Sequence, residues 1–305
     1  MSDQKEIVMV TGREKFIAST KTKKITTLSG VEKNVYELPS GEFQHLDFSG
    51  YKRPECEKNY DFIQMIPYII LRDIDRDTGA VKYLTYKRGK KGAENKLHDK
   101  FSVGVGGHIA VNHYVNPVLL KSDHVYFQHY AVPAKIVVSE LVKEIQEETG
   151  FNMIDQFTYE ELDHIVMKAS PFYLDEGPDS VNSYHFALPI AINVNGFADA
   201  FISNEPGVIE KLSWKTPEEL KVLADEGALE AWTDIVLKNF IPPVITAEFY
   251  EQATGNKPIQ DDILRANCSK AGTVMHHSCG WCVKNNVPNT FGSAARWQNI
   301  NEKSE

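Results

Sequence analysis

Glu144, Glu147 and Glu148 stand at positions i, i+3 and i+4 in the run Lys143-Glu144-Ile145-Gln146-Glu147-Glu148-Thr149-Gly150-Phe151. On a helix those offsets share one face. Like charges held so close repel one another. A hard divalent cation that prefers oxygen ligands, Mg²⁺ or Mn²⁺, would relieve the repulsion. The run therefore reads as a metal-binding helix end, closed by a glycine stop before an apolar residue. The competing reading is an acidic face in contact with water.

Other stretches offer chemistry of a different kind. Gly106 and Gly107 end the run Phe101-Ser102-Val103-Gly104-Val105. Two adjacent glycines let a backbone approach a ligand closely, or simply make a turn. His108 follows them and is expected as a turn residue. Arg88, Lys90 and Lys91 form a basic loop suited to phosphate or to solvent. Near the end of the chain, Cys268, Cys279 and Cys282 flank His276 and His277. The Cys279-Gly280-Trp281-Cys282 knuckle with Cys268 and His276 has the donors of a tetrahedral structural Zn²⁺ site. Buried thiols or a redox pair are the alternatives.

The elements that must position these groups follow from hydrophobic period. Residues 62–73 are apolar and isoleucine-rich, as in a buried strand. Asp75 to Gly79 makes a turn, and 81–87 alternates as the second strand of a hairpin. Val137, Val138, Leu141 and Ile145 form a helical stripe over about 131–149, with Glu140, Glu144, Glu147 and Glu148 on the other side. His164–Met167 and Ser183–Ile192 read as strands. Thr216 and Pro217 open a helix, and a second amphipathic helix spans Ala228 to Phe240. Residues 110–130 read as an inserted loop. The expected organisation is an N-terminal extension with one or two strands over 1–61, a central domain over 62–243 ending at Pro242-Pro243, and a C-terminal Cys/His segment over 244–305.

Composition bounds the function. The 305 residues are 42% hydrophobic and 25% charged, as in a globular chain with a sizeable core. A formal net charge of −9 argues against a general nucleic-acid coat. The run Ile66 to Leu71 is too short to span a bilayer, the N-terminus lacks the apolar stretch of a signal peptide, and four cysteines make no disulfide framework. A cytoplasmic protein without membrane or nucleic-acid partners is expected, with a homodimer left open.

The order strand, Gly-Gly, helix ending in E-x-x-E-E-x-G, strand, strand, W-x-x-x-x-E-L resembles the Nudix hydrolases over about 62–240. Glu144 to Phe151 matches the second half of the family box position by position, and Gly107 would open the first half. The Phe101–His108 turn is most similar to the MutT-like phosphoesterase group. Three departures stand out. Lys143 replaces the box arginine and lacks its planar fork. Gly107 precedes Lys143 by 36 positions where the pattern has 14, an insertion of 22 residues. The early box glutamate has no counterpart: counting from either end lands on His113 or Lys135.

The resemblance implies an α/β/α sandwich with a mixed sheet. It also implies Mg²⁺-dependent hydrolysis of a small nucleoside diphosphate derivative by a metal-activated water. Glu147 and Glu148 would be metal ligands and Glu144 a ligand or the base. A later glutamate, Glu205 or Glu210, would join them, with Lys143 in the box. Gly106, Gly107 and Arg88 would contact substrate. The alternative is a Nudix-type fold that binds nucleotides without cleaving them.

Overall fold

The computed structural model describes residues 6–75, 77–90, 97–111, 134–194, 198–259, 262–263 and 267, with the backbone alone at 125–126 and 134–135. The Cys268/His276/Cys279/Cys282 cluster and Lys91 lie outside them.

A large mixed sheet forms the centre. In chain order it is built from β1 (Ile7–Gly12), β2 (Lys21–Thr26), β3 (Glu32–Glu37), β4 (Phe48–Lys52), β5 (Phe62–Ile74), β6 (Val81–Arg88), β7 (Phe101–Ser102), β8 (Gly104–Val105), β9 (Val125–Tyr126), β10 (Phe172–Tyr173), β11 (His185–Asn193) and β12 (Ile209–Lys215). The main path runs β2-β3-β10-β11-β5-β1-β4-β9, and β6 joins β5 to β7 and β12. β5 and β11 run parallel, with Gln64 opposite His185 and Arg72 opposite Asn193. The other neighbours are antiparallel, including the expected β5–β6 hairpin.

Strand β5 organises the layers because its side chains alternate between faces. Ile63, Met65, Ile69 and Leu71 enter one core with Val137, Val138, Leu141 and Ile145 of α3 (Ala134–Thr149) and Leu162, Ile165 and Val166 of α4 (Tyr159–Met167). Tyr68 and Ile70 enter a second core with Leu220 and Ala224 of α5 (Pro217–Asp225) and Ile235 and Val236 of α6 (Ala231–Asn239). Helices thus cover both faces. Among the described residues no helix is long and apolar enough to cross a membrane.

Local signals explain most of the helix ends. Gly150 takes φ +70° after α3, and its N–H bonds the Gln146 carbonyl, the left-handed stop that glycine favours. Thr216 and Glu219 form a reciprocal capping box on α5, with Pro217 in the first turn.

Two expectations are corrected. His164–Met167 lies in α4, not in a strand. Thr158 and Glu161 form a capping box there, and Leu162, Ile165 and Val166 bury a helical stripe that four residues read alone do not reveal. Glu140, on the polar side of α3, is 5% exposed, with its Oε1 2.5 Å from Lys143 Nζ. Residues 7–52 also supply four strands of the central sheet, where one or two were expected. Among them the β2–β3 hairpin escaped notice because only Ile25 and Val35 of it enter a core.

Candidate functional site

The glycine turn after β8 meets the last turns of α3. Gly107 sits directly against the Glu144 carboxyl group: a Cβ at Gly107 would lie 2.6 Å from Glu144 Cδ and Oε2. Gly106 abuts backbone, where a Cβ would fall 2.0 Å from the Pro67 carbonyl oxygen. Gly106 is therefore required by close approach to β5, and Gly107 leaves room for a candidate catalytic side chain.

Burial divides the three glutamates of α3. Glu147 is open, at 53% side-chain exposure, whereas Glu144 retains 14%. Glu148 has its Oε2 buried without a hydrogen-bond partner. Burial pushes the Glu144 carboxyl up to about 7, opposed by the Lys143 charge and reinforced by Glu140 and Glu147. Burial also raises Glu148 well above the usual carboxylate range. There the charges of Glu144, Glu205 and Glu230 add to the effect and Arg88 opposes it.

Lys143 stands among the carboxylates. Its Nζ is 2.5 Å from Glu140, 3.4 Å from Glu144 and 3.8 Å from Glu147. Burial lowers its pKa, but the Glu140 hydrogen bond and the charges of Glu144, Glu140 and Glu147 outweigh that, so it stays above its ordinary range. Lys143 supplies the local positive charge of this acidic face.

Arg88, at the end of β6, is held by Glu230 at the start of α6, with Nε 2.9 Å from Oε2. Glu230 is 5% exposed. It accepts further hydrogen bonds from the Tyr68 hydroxyl at 2.5 Å and the Ser102 hydroxyl at 2.6 Å. Arg88 is thereby fixed between Glu230 and the electrostatic reach of Glu148. Glu230 was not a sequence candidate. The available signal was one carboxylate inside the run Ala228-Leu229-Glu230-Ala231-Trp232, but its partner lies 142 residues away.

Of the two later glutamates, Glu205 is the one whose charge raises Glu148. Glu210 is exposed on β12, with its Cγ packed toward Gly89. The structure thus brings together Gly107, Lys143, Glu144, Glu147 and Glu148, with Arg88 and Glu205 close enough to act on Glu148.

The donors are of the kind that hold a hard cation: clustered carboxylate oxygens, one of them buried and unpartnered. Glu147 is turned out beside Lys143. As the side chains stand, the described residues contain no group of three or more His, Cys, Asp or Glu arranged to hold a metal ion.

Comparisons with known proteins are sparse. No family model matches the chain. It is 23% identical over 186 residues to Protein YmaB of Bacillus subtilis (strain 168), which spans 61% of this chain and 75% of that one. Among solved structures it is similar to Tm1382, described as "a putative Nudix hydrolase", at 17% identity and a TM-score of 0.43, with 75% of this chain and 94% of that one covered.

Proposed function

We propose that this protein is a divalent-metal-dependent hydrolase of the Nudix type that cleaves a phosphoanhydride bond in a small nucleoside diphosphate derivative. The observation that carries this reading is the buried, unpartnered Glu148 Oε2 in the electrostatic reach of Glu144, whose carboxyl lies against Gly107. Holding such an oxygen in a folded protein without a partner costs stability, and a bound cation would remove that cost.

Glu147 and Glu148 would hold Mg²⁺ or Mn²⁺, with Glu144 a further ligand or the base. The bound ion would lower the pKa of its water and neutralise phosphate oxygens. The protein's own groups do the rest. Glu144, whose carboxyl lies against Gly107, is the residue placed to accept the proton of the attacking water. The Gly106-Gly107 backbone admits the phosphate chain closely. Arg88, fixed by Glu230, orients a phosphate oxygen. Glu205 is the later glutamate that adds charge to the site.

The test is a panel of nucleoside diphosphate derivatives, dinucleotides and triphosphates with Mg²⁺ or Mn²⁺, run on wild type, Glu144→Gln and Glu148→Gln. Each variant should lose about 10²–10⁴-fold in kcat. Glu148→Gln should keep about the wild-type Tm, since it replaces a buried, unpartnered carboxyl with a neutral amide of the same shape. Turnover unchanged in both variants would reject the site.

Lys143 favours a second reading. Its single charge already offsets part of that of Glu140, Glu144 and Glu147 from within, as in a protein that binds nucleotides without cleaving them. Saturable nucleotide binding with no product under any metal would select that reading.

A further inference from the structure

A second cluster of ligating side chains uses none of the α3 carboxylates. His108 follows the glycine turn, His185 opens β11, and Gln64 lies opposite His185 in the parallel register. Gln64 is 1% exposed and His185 5% exposed, while His108 keeps partial access to solvent.

The hydrogen bonding of this cluster is overdrawn. His185 Nδ1 lies 2.9 Å from the Val181 carbonyl oxygen. A carbonyl only accepts, so Nδ1 carries the proton and Nε2 of the neutral ring offers a single lone pair. Two donors converge on that lone pair: His108 Nε2 at 3.0 Å and Gln64 Nε2 at 3.2 Å. At the other end of the same amide, Gln64 Oε1 is buried without a partner. Turning the amide over would move the defect to its nitrogen. Buried polar groups left in this state point to a missing partner.

We infer that His108 Nε2 and His185 Nε2 form a binding site for a zinc-class transition-metal dication, with the side-chain oxygen of Gln64 as a third donor. Two imidazole nitrogens that bind one ion at about 2.05 Å and a tetrahedral angle stand about 3.3 Å apart. The observed 3.0 Å needs only a small opening. Binding moves the His108 proton from Nε2 to Nδ1 and releases none. The bond from His185 Nδ1–H to Val181 is the outer hydrogen bond that orients a metal-ligating histidine. Arg53 is the cation whose charge reaches the His108 ring. The Arg53 guanidinium is itself offset by Glu57 at 2.9 Å and Glu6 at 3.1 Å. The ion would enter beside His108.

The experiment dialyses the tag-free full-length chain against Zn²⁺ after chelator treatment and counts bound zinc per chain. His108→Gln should hold one equivalent fewer than wild type, because ions on the α3 carboxylates or on the C-terminal cysteines are counted in both. A second measurement uses wild type alone. Diethylpyrocarbonate should label His108 in the zinc-free chain and label it at least tenfold more slowly when zinc is bound. Equal zinc counts in folded wild type and variant, or equal His108 labelling with and without zinc, would overturn the site.

Discussion

Gly106 and Gly107 are adjacent, yet a methyl group should act differently at each. At Gly106 it would meet the Pro67 backbone, which cannot swing away. At Gly107 it would meet the end of a flexible glutamate. Gly106→Ala should therefore destabilise by about 1–3 kcal/mol. Gly107→Ala should fold with stability within about 1 kcal/mol of wild type while displacing Glu144 and lowering turnover. Urea melts beside hydrolysis rates separate the two effects.

A different carboxylate governs acid stability. Asp175 receives Arg13 at 3.0 Å, the Tyr60 hydroxyl and the Gly177 N–H at 3.1 Å. Burial raises its pKa, but the Tyr60 and Gly177 hydrogen bonds and the Arg13 charge outweigh that and leave it below the usual range. A folded-state pKa below the unfolded value, about 3.9, stabilises the fold above that pH. The contribution is lost as pH falls through the folded value. Asp175→Asn should lower Tm by about 2–4 °C at pH 7, and the gap to wild type should close as pH falls through the folded-state value.

At this scale, the residues legible in the sequence were those whose function shows in local spacing: the E-x-x-E-E run and the paired glycines. Glu230 and His185 were not, because Arg88 and Gln64 are 142 and 121 residues distant from them, and single-chain spacing carries no trace of such contacts.

Elements with a long, regular apolar period were readable. β5 showed as an isoleucine-rich, mainly apolar run, and α3 as a stripe closed by Gly150. The misread element was α4, nine residues long, whose identity rests on its cap rather than on a repeated period. Thr158 accepts from Glu161 N–H while Glu161 accepts from Thr158 N–H. Thr158→Ala should cost about 1 kcal/mol, read as a lower urea midpoint with an unchanged slope. The β2–β3 hairpin failed to show for the opposite reason. Its exposed positions are mostly lysine and glutamate, with Lys24 and Glu32 paired across the strands at 2.8 Å. Charge suits a peripheral strand, where it discourages pairing with other chains, and it hides the strand from a hydrophobic reading.

Over the whole molecule, the region after Pro242-Pro243 is tied to the sheet. Buried Arg72 donates to the Pro242 carbonyl at 2.7 Å and to Asn193 at 2.9 Å, and Asn193 in turn donates to the Asn267 carbonyl. The turn of the β5–β6 hairpin is covered as well: the Thr78 carbonyl accepts from Ala247 N–H, and Gly79 sits at φ +76° against Ile245. Deleting residues 244–305 should remove the cluster of Ile245, Tyr250 and Ile263 and uncover Asn193 and the turn at Gly79. It should cost about 2–4 kcal/mol, visible as a lower urea midpoint on the truncated chain.

The parallel pairing of β5 with β11 also sets the order in which the chain can be completed during synthesis. β1 and β4 precede β5, and β6 follows it closely, but the β11 edge of β5 must wait until residue 193 has left the ribosome. Until then an isoleucine-rich strand presents unsatisfied backbone groups along one side, and the long loop closure slows their capture. Nascent chains stalled between β6 and β11 are accordingly the species most exposed to edge-to-edge association.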